Sequence, residues 1–343
     1  MTATAFAPAT VSNVACGFDV LGFAIGTGAD GSGTDGTGTD GPGDRVTARL
    51  VEDGGGDAGG PGPSQVRVYP AGQAVRVVSV AGTAGSGFER LPTEADRNTA
   101  GVAAMRLIAA VRPGAHVELS VEKRMPFGSG LGSSAASAVA AVVAVNEVLG
   151  RPLATEALLP FALDGEAVAS GGRHADNVAP SLFGGFVLVR APDDIVRLPV
   201  PAGLCAAVLH PHVEVLTAQA RAALAPTVPL RAFVEQTANL GALVAGLFTG
   251  DLGLVSRSLV DGVVEAQRAH LVPRFYAMQA AAREAGALGC SLSGSGPSVF
   301  ALCRTRADAE RTGAAMQAAL GQAAASTLYV SGVGPGARIV STL

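Results

Sequence analysis

The chain has 343 residues, which is enough for about two domains and a sizeable buried core. Apolar residues make up 48% of it and charged residues 15%, and 24 Lys and Arg against 28 Asp and Glu give a net charge of −4. That balance argues against a surface for nucleic acid or for an anionic membrane. Lys123 is the only lysine, which disfavours Schiff-base chemistry and P-loop enzymes.

Cysteine usage and the N-terminal segment indicate the compartment. The four cysteines show no metal-ligand spacing and are expected to be buried and reduced, so no disulfide or metal framework is predicted. No basic residue precedes Arg45, and polar residues interrupt the first apolar stretch, which is not typical of a signal peptide. The longest uncharged stretch, residues 125–146, is too polar to span a bilayer. These features predict a cytoplasmic protein.

Two glycine-rich tracts lie between residues 26 and 65 and contain 14 of the 46 glycines. Between them, residues 45–50 alternate apolar and polar side chains as a strand does. We predict that the tracts are flexible loops beside this strand and that residues 27–43 are dispensable. The repeated Asp-Gly pairs lack the spacing of a calcium loop.

The strongest local pattern is a strand, a loop and a helix in succession. Residues 115–123 alternate apolar and polar side chains, which predicts a half-buried strand. The next segment, PFGSGLGSSAASAVAAVVAVNEVLG (126–150), is a glycine-rich turn that opens into an Ala/Val helix. Before the strand, Asn98 or Thr99 can cap a helix over 100–111.

The remaining pattern predicts two further regions. The first contains a helix at residues 155–168, a loop at 170–185 and two strands within 186–210. The second contains five helices, near 217–224, 231–248, 252–268, 274–286 and 306–320. Two strands around a glycine turn (289–303) precede the last of these helices, and the strand-like TLYVSGV follows it, which is typical of a ferredoxin-like α+β half. A proline cluster near 190–203 marks the boundary, so the expected domains are 1–195 and 196–343.

The glycine-rich turn can bind an anion, because a helix N-terminus presents unpaired N–H groups and the positive end of the helix dipole. It matches neither a Walker A motif nor a dinucleotide fingerprint. The alternative is a serine-capped helix after a flexible turn. The candidate phosphate-binding residues are Gly128, Ser129, Gly130, Leu131, Gly132, Ser133 and Ser134.

A phosphate loop without a lysine needs another positive charge, and Mg²⁺ would supply it. Mg²⁺ prefers hard oxygen ligands such as a serine hydroxyl and a carboxylate. Ser134 and Glu166 are the candidates. The alternative for Glu166 is a solvent-facing helix carboxylate.

Three segments in order resemble the signature regions of the GHMP kinase superfamily: FAPATVSNVACGFDVLGFAI, PFGSGLGSSAAS and GCSLSGSGPSVFAL, between residue 6 and about residue 303. Within it the chain most resembles the homoserine kinases, through GFDVLG, RHADNVAPSLFGG, LTAQAR, QRAHLVP and GARIV. The resemblance implies a two-domain α/β (α+β) fold, with an N-terminal nucleotide-binding half and a C-terminal ferredoxin-like half.

The resemblance implies a kinase that uses ATP and Mg²⁺ to phosphorylate the side-chain hydroxyl of L-homoserine, in threonine biosynthesis. No nucleic-acid or membrane partner is expected, and a homodimer is compatible with the family. Two alternatives stay open. One is a GHMP kinase for another small alcohol, and the other is a non-catalytic relative that binds a nucleotide or an amino acid.

The resemblance also assigns roles by position. The glycine-rich loop would hold the triphosphate, with Pro126 and Gly294 also at the nucleotide and Asn98 near adenine, while Ser134 and Glu166 would bind Mg²⁺. Arginine forks suit the carboxylate of an amino acid, and Asp19 suits its ammonium group. The implied substrate pocket contains Asn13, Asp19, His174, Asn177, Arg221 and Arg268.

Asp176 and Asn177 are the implied catalytic residues. In other members of the superfamily an Asp in a comparable setting acts as the general base toward the acceptor hydroxyl. The alternative is that Asp176 orients Asn177 and its loop, because phosphoryl transfer has little need for early deprotonation.

Overall fold

The computed structural model describes residues 1–26, 40–51, 74–83 and 86–343. The strands in these residues are β1 (Thr2–Pro8), β2 (Thr10–Val14), β3 (Gly17–Ala24), β4 (Gly43–Val51), β5 (Val75–Gly82), β6 (His116–Lys123), β7 (Phe186–Ala191), β8 (Asp194–Leu198), β9 (Cys205–Pro211), β10 (Gly289–Leu292), β11 (Val299–Cys303), β12 (Ser326–Gly332) and β13 (Arg338–Thr342). The α-helices are α1 (Thr99–Val111), α2 (Ser133–Val148), α3 (Leu159–Ser170), α4 (Ala175–Phe183), α5 (Thr217–Ala222), α6 (Leu230–Thr249), α7 (Leu252–Ser258), α8 (Glu265–Arg268), α9 (Phe275–Glu284) and α10 (Arg306–Leu320).

The strands form three sheets. The first has the order β13-β1-β4-β6-β5, the second β2-β3-β7-β8 and the third β10-β11-β9-β12. In the third sheet every neighbouring pair is antiparallel, and α9 and α10 pack against it. This arrangement is the ferredoxin-like half that the sequence predicts.

Helix α2 lies at the centre of the first half. It packs on β1 and β4 and contacts α1, α3 and α4. Its Ala and Val side chains are buried around most of its circumference, as expected for a helix that is apolar on all sides. Helix α1 begins where predicted, because the Asn98 side chain accepts hydrogen bonds from the backbone N–H groups of Ala100 and Gly101. The strand expected at 115–123 is β6.

The loop expected over 170–185 is wrong, because α4 occupies most of it. Pro180 lies inside α4, and a proline there removes the N–H that would bond the carbonyl of Asp176. Strand β3 passes so close to that carbonyl that a Cβ at Gly22 would collide with it. The close approach explains why glycine stands at this position of β3.

The single helix expected over 252–268 is also wrong. The chain leaves the helical conformation after α7 and begins α8 only at Glu265. Between them, the carboxylate of Asp261 accepts hydrogen bonds of 2.9 Å from the backbone N–H groups of Val263, Val264 and Glu265. An aspartate that bonds nearby backbone groups favours a turn over a continuous helix.

The expected division at 195/196 falls inside β8. The last strand, β13, also pairs with β1 in the first sheet, although it belongs to the second half of the sequence. The sheets therefore divide the chain differently from the expected sequence boundary.

The glycine-rich tracts fall largely outside the described residues, at 27–39 and 52–73. The strand expected between them is β4. The predicted dispensable segment extends too far, because Asp40 is buried and forms ion pairs with Arg45, Arg124 and Arg338. Among the described residues, no helix is long and apolar enough to cross a membrane.

Candidate active site

A cavity of about 400 Å³ lies where the three sheets meet. Its walls come from the facing ends of β2 and β3, the loop before α2, the helices α3, α4, α5 and α8, and the loop after β10. It brings together most of the predicted site residues: Asn13, Asp19, Gly128, Ser129, Gly130, Gly132, Ser133, Ser134, Glu166, His174, Asp176, Asn177, Arg221, Arg268 and Gly294.

The loop before α2 has the geometry of an anion site. Gly128, Gly130 and Gly132 all have positive φ angles, which turns the loop around the first turn of α2. A Cβ at Gly130 would collide with backbone of the loop after β10, so only glycine allows the two loops to touch. The Ser293 hydroxyl donates to the Gly130 carbonyl at 2.7 Å. The N-terminus of α2 therefore opens into the cavity between two mutually braced loops.

Three predicted nucleotide residues lie elsewhere. The side chain of Leu131, which was predicted to belong to the phosphate-binding loop, is buried in the hydrophobic core, and Leu131 does not line this cavity. Asn98 does not line this cavity. The nitrogen of its side-chain amide donates to the Pro92 carbonyl, and the oxygen caps α1. Pro126 lines a second cavity of about 410 Å³. Phe127 lines both cavities, which therefore adjoin at this residue.

One wall of the first cavity carries opposite charges. Arg221 Nη2 donates to Asp19 Oδ1 at 2.7 Å, and the guanidinium groups of Arg221 and Arg268 lie 5.5 Å and 5.0 Å from the ring centroid of Phe18. Arg268 Nε donates to the Ala220 carbonyl at 3.0 Å, which ties α8 to α5. These contacts hold one carboxylate and two guanidinium groups at one wall.

The backbone is strained at Asn13, near the end of β2, and at Asp19, near the start of β3. Both residues have positive φ angles, 55° and 59°, which non-glycine residues rarely adopt. Asn13 holds the turn with both ends of its amide: Oδ1 accepts from the Asp19 N–H and Nδ2 donates to the Gly294 carbonyl, each at 2.8 Å. Strain of this kind persists where the surroundings over-determine the backbone, and it concentrates at functional sites.

Two side chains whose oxygen atoms could bind a cation line the cavity. The Glu166 carboxylate on α3 is buried, and Ser134 lies in the first turn of α2. His174 Nδ1 is 4.0 Å from Glu166 Oε1. Burial and the charge of Arg221 lower the pKa of His174, so its imidazole is neutral at pH 7. A serine hydroxyl, a carboxylate and phosphate oxygens together form a ligand set that suits Mg²⁺.

Asp176 is fully buried at the start of α4. Burial raises the pKa of its carboxyl to about 7, with a smaller contribution in the same direction from Asp19. Its Oδ1 atom has no hydrogen-bond partner among the described residues, although the residue lines the cavity. A buried carboxyl with a pKa near neutrality and an oxygen without a hydrogen-bond partner has the properties of a general base.

Comparison with known proteins agrees with this geometry. The model for the GHMP kinases N terminal domain matches residues 98–185, and that for the GHMP kinases C terminal region matches 237–322. A homoserine kinase of Chlorobium phaeobacteroides is 42% identical over 326 residues, covering 93% of this chain and 92% of that protein. One of Chlorobaculum tepidum is 40% identical and covers 99% of both chains. The chain belongs to the homoserine kinase family.

Solved structures extend the comparison to the fold. The crystal structure of homoserine kinase from Cytophaga hutchinsonii has a TM-score of 0.85 at 43% identity and covers 99% of this chain and 97% of that chain. A mevalonate kinase of L. major in complex with R-mevalonate has a TM-score of 0.64 at 15% identity, covers 96% of this chain and 95% of that chain, and shows the shared fold. As a homoserine kinase family member, this chain is a kinase that uses ATP.

The family resemblance did not identify every residue around the site. Ser12, fully buried beside Asn13, lines the cavity. Lys123 lies buried behind the phosphate loop, where it pairs with Asp44 and donates to the Ser133 carbonyl and the Ser137 hydroxyl, each at 2.8 Å. The only signal for Ser12 is its place within the first motif. Nothing in the sequence pattern links Lys123 to Asp44, which is 79 residues away.

Proposed function

We propose that this enzyme transfers the γ-phosphoryl group of MgATP to the side-chain hydroxyl of L-homoserine. The hydroxyl oxygen forms a bond to the γ-phosphorus, the bond from that phosphorus to the bridging oxygen of ATP breaks, and the hydroxyl proton passes to Asp176. The products are O-phospho-L-homoserine and ADP. This is phosphoryl transfer to an alcohol, in which positioning and charge stabilisation supply most of the rate.

The observation that carries the proposal is the joining of two kinds of site in one cavity. One end has the N-terminus of α2, which suits phosphate oxygens. The other end has Asp19, Arg221 and Arg268, which suit an ammonium group and a carboxylate. An α-amino acid carries both of these groups, whereas mevalonate has no ammonium group for Asp19. The arrangement therefore favours an amino-acid alcohol over the other small alcohols.

The second cavity suits the nucleoside of ATP. It adjoins the phosphate loop at Phe127, so a triphosphate on the loop would extend toward it. Ser86 and Arg124 line it and offer hydrogen-bond donors. Ser86 is buried, and its Oγ has no hydrogen-bond partner among the described residues. We therefore assign the base and ribose to this cavity and the phosphates to the first one.

Ser134 and Glu166 would hold Mg²⁺. The bound cation would neutralise the charge of the β- and γ-phosphates, which the loop itself cannot do because its nearest lysine, Lys123, lies behind it in the core. Replacing Glu166 with Gln should reduce kcat by orders of magnitude, with partial recovery in raised Mg²⁺ or in Mn²⁺. Normal turnover of Glu166→Gln at low Mg²⁺ would place the cation elsewhere.

The direct test is a coupled assay of ADP release with homoserine, mevalonate, galactose and shikimate. Homoserine alone should be turned over efficiently. The Arg221→Lys variant keeps the charge but loses the planar fork, so KM for homoserine should rise at least tenfold while KM for ATP changes little. Arg231→Lys, at an arginine that is 91% exposed on α6, is the matched control and should leave both KM values unchanged.

Two outcomes would contradict the proposal. Efficient turnover of another alcohol would make this chain a GHMP kinase of different specificity. ADP release with none of the four, despite measurable binding of ATP, would make it a non-catalytic binding relative.

A further inference from the structure

Phe18 contacts the two arginines of the charged cavity wall without lining the cavity itself. It precedes Asp19 on β3 and is half-buried. The guanidinium carbons of Arg221 on α5 and Arg268 on α8 lie over its ring, 5.5 Å and 5.0 Å from the centroid. One ring of the N-terminal half thus meets two cations that come from different helices of the C-terminal half.

The two guanidinium groups differ in their other partners. Arg221 is paired with Asp19, whose Oδ1 accepts its hydrogen bond of 2.7 Å. Arg268 is buried, and its hydrogen bonds go to the carbonyl groups of Ala220 and Gly294, at 3.0 Å and 3.5 Å. In the part of the chain that the structure describes, no carboxylate forms an ion pair with Arg268. Its charge is therefore available to the carboxylate of a ligand.

The ring of Phe18 lowers the cost of holding the two cations close together. Burial lowers the pKa of Arg268, and the neighbouring charge of Arg221 lowers it further, so the two groups repel each other. The face of an aromatic ring is electrostatically negative and attracts a guanidinium group, most strongly where water is excluded. The planar guanidinium group also stacks well on such a face. The ring therefore stabilises both guanidinium groups at this wall before a carboxylate binds.

The backbone around Phe18 restrains the position of the ring. The next residue, Asp19, has a φ of 59°, and its N–H donates to Asn13 Oδ1 at 2.8 Å. On the other side, the preceding glycine pairs with the last residue of β2. Phe18 and Asp19 therefore contact Arg221 from one restrained segment, the first through its ring and the second through its carboxylate.

We propose that Phe18 is a positioning residue for the substrate: its ring holds the guanidinium groups of Arg221 and Arg268 at the spacing that binds the carboxylate of the amino acid. The inference rests on the proposed function, which places an α-amino acid at this wall. Loss of the ring should weaken the recognition of the carboxylate. The binding of ATP and of the substrate's ammonium and hydroxyl groups should stay as it is.

The test compares homoserine with 3-amino-1-propanol, which is homoserine without its carboxylate, in the Phe18→Leu variant. Leucine keeps an apolar side chain but has no ring to hold the guanidinium groups. KM for homoserine should rise about tenfold, while kcat and KM for ATP stay within about twofold. The Ki of 3-amino-1-propanol as a competitive inhibitor of homoserine should also stay within about twofold, because this molecule has no carboxylate for the arginines.

Two further variants separate the ring from its surroundings. Phe18→Tyr retains an aromatic face, so KM for homoserine should stay within about threefold of the original value. Phe183→Leu is the matched control, because Phe183 is also half-buried and its ring centroid lies 5.3 Å from the guanidinium of Arg197, outside the cavity. This variant loses the same kind of contact and should leave KM for homoserine unchanged.

A second change at position 18 keeps the shape of the side chain and serves if Phe18→Leu does not fold. Pentafluorophenylalanine has nearly the size of phenylalanine, but its fluorine atoms reverse the charge distribution of the ring. Its face repels a guanidinium group, so KM for homoserine should rise about fivefold or more. The Ki of 3-amino-1-propanol should not change.

The possible results distinguish the inference from the proposed function. If the original enzyme does not phosphorylate homoserine, the proposed function is wrong and the inference is wrong with it. If it does, and neither change at position 18 raises KM for homoserine more than about twofold, the role of Phe18 is wrong and the proposed function stands. An equal loss of affinity for homoserine and for 3-amino-1-propanol also overturns the inference, because it would reflect a general change of shape.

Discussion

Two buried aspartates on opposite sides of the phosphate loop differ in how their charge is compensated. Asp44, behind the loop, accepts hydrogen bonds from the Lys123 ammonium, the Ser137 hydroxyl and the Arg124 N–H. Asp176, in front of it, has an oxygen without a hydrogen-bond partner among the described residues and a pKa that burial raises to about 7. The carboxylate of Asp44, behind the loop, thus accepts a full set of hydrogen bonds, whereas the carboxylate of Asp176, which lines the cavity, keeps one oxygen without a partner among the described residues.

The difference has an energetic meaning. A buried charge with a complete set of partners is tolerated, and removing one partner is costly. A buried carboxylate with an oxygen that accepts no hydrogen bond destabilises the folded protein in the absence of substrate. It becomes useful only when a group that can donate a proton binds beside it. Asp44 should therefore appear in stability measurements as a favourable group, and Asp176 as an unfavourable one.

The largest expected effect is on turnover in Asp176→Asn. Loss of general-base assistance should reduce kcat by about 10²–10⁴-fold, while both substrates bind nearly as before. Steady-state kinetics with homoserine and ATP give the measurement. A loss below about tenfold would mean that alignment and charge stabilisation suffice, and Asp176 would then resemble Asp44 in being structural.

Breaking the structural pair should cost stability instead. In Lys123→Met the Asp44 carboxylate stays buried without its cation, so the free energy of unfolding should fall by about 3–5 kcal/mol. Urea unfolding measures this change. The double variant Lys123→Met/Asp44→Asn removes the stranded charge and should recover part of the loss. Equal stabilities of the single and the double variant would contradict the pairing.

The two aspartates should also differ in how pH affects stability. Folding raises the pKa of Asp176 from 3.8 to about 7, so ionising it costs the folded state up to about 4 kcal/mol. This cost is absent below about pH 4, where the carboxyl is protonated in both the folded and the unfolded state. It reaches its full size once the pH has risen through 7, so the folded protein loses that much stability. Asp176→Asn should therefore be more stable than the original enzyme at pH 8, and this difference should disappear at low pH. Unfolding curves at about pH 4 and pH 8 test the sign.

The smallest effect is expected where a carboxylate is paired at the surface. Arg90 donates to Glu214 at 3.0 Å and lies 4.8 Å from the ring centroid of Phe127, but its side chain is 56% exposed. Because solvent screens such pairs, Arg90→Ala should change the free energy of unfolding by less than about 1 kcal/mol. A loss as large as that of Lys123→Met would show that exposure does not set the strength of these pairs.

The sequence predicted the fold and most of the cavity wall because contiguous motifs carried both. Asn13 and Asp19 fall in one motif, and the phosphate loop in another. The errors have local causes. Pro180 lies inside α4, and a proline there favours a loop in a reading of the sequence. The hydrogen bonds that Asp261 accepts from the backbone end the helix expected over 252–268, although the segment has a helical composition.

Other features depend on contacts that no local pattern encodes. The pairing of Lys123 with Asp44 joins residues 79 positions apart. The contact of Asn177 with Ser12 joins residues 165 positions apart, and each of these groups acquires its role only when the strands assemble. Asn98 illustrates the same limit, because its amide could equally have faced a nucleotide or capped a helix.

The pairing of β13 with β1 determines when the first sheet can be completed during synthesis of the chain. Strand β1 lies between β13 and β4, so one of its edges stays open until the C-terminal half has left the ribosome. An open strand edge is a template for pairing with other chains. The nascent enzyme therefore carries an aggregation-prone edge for most of its translation, and shielding of that edge by a chaperone should increase the yield of folded protein.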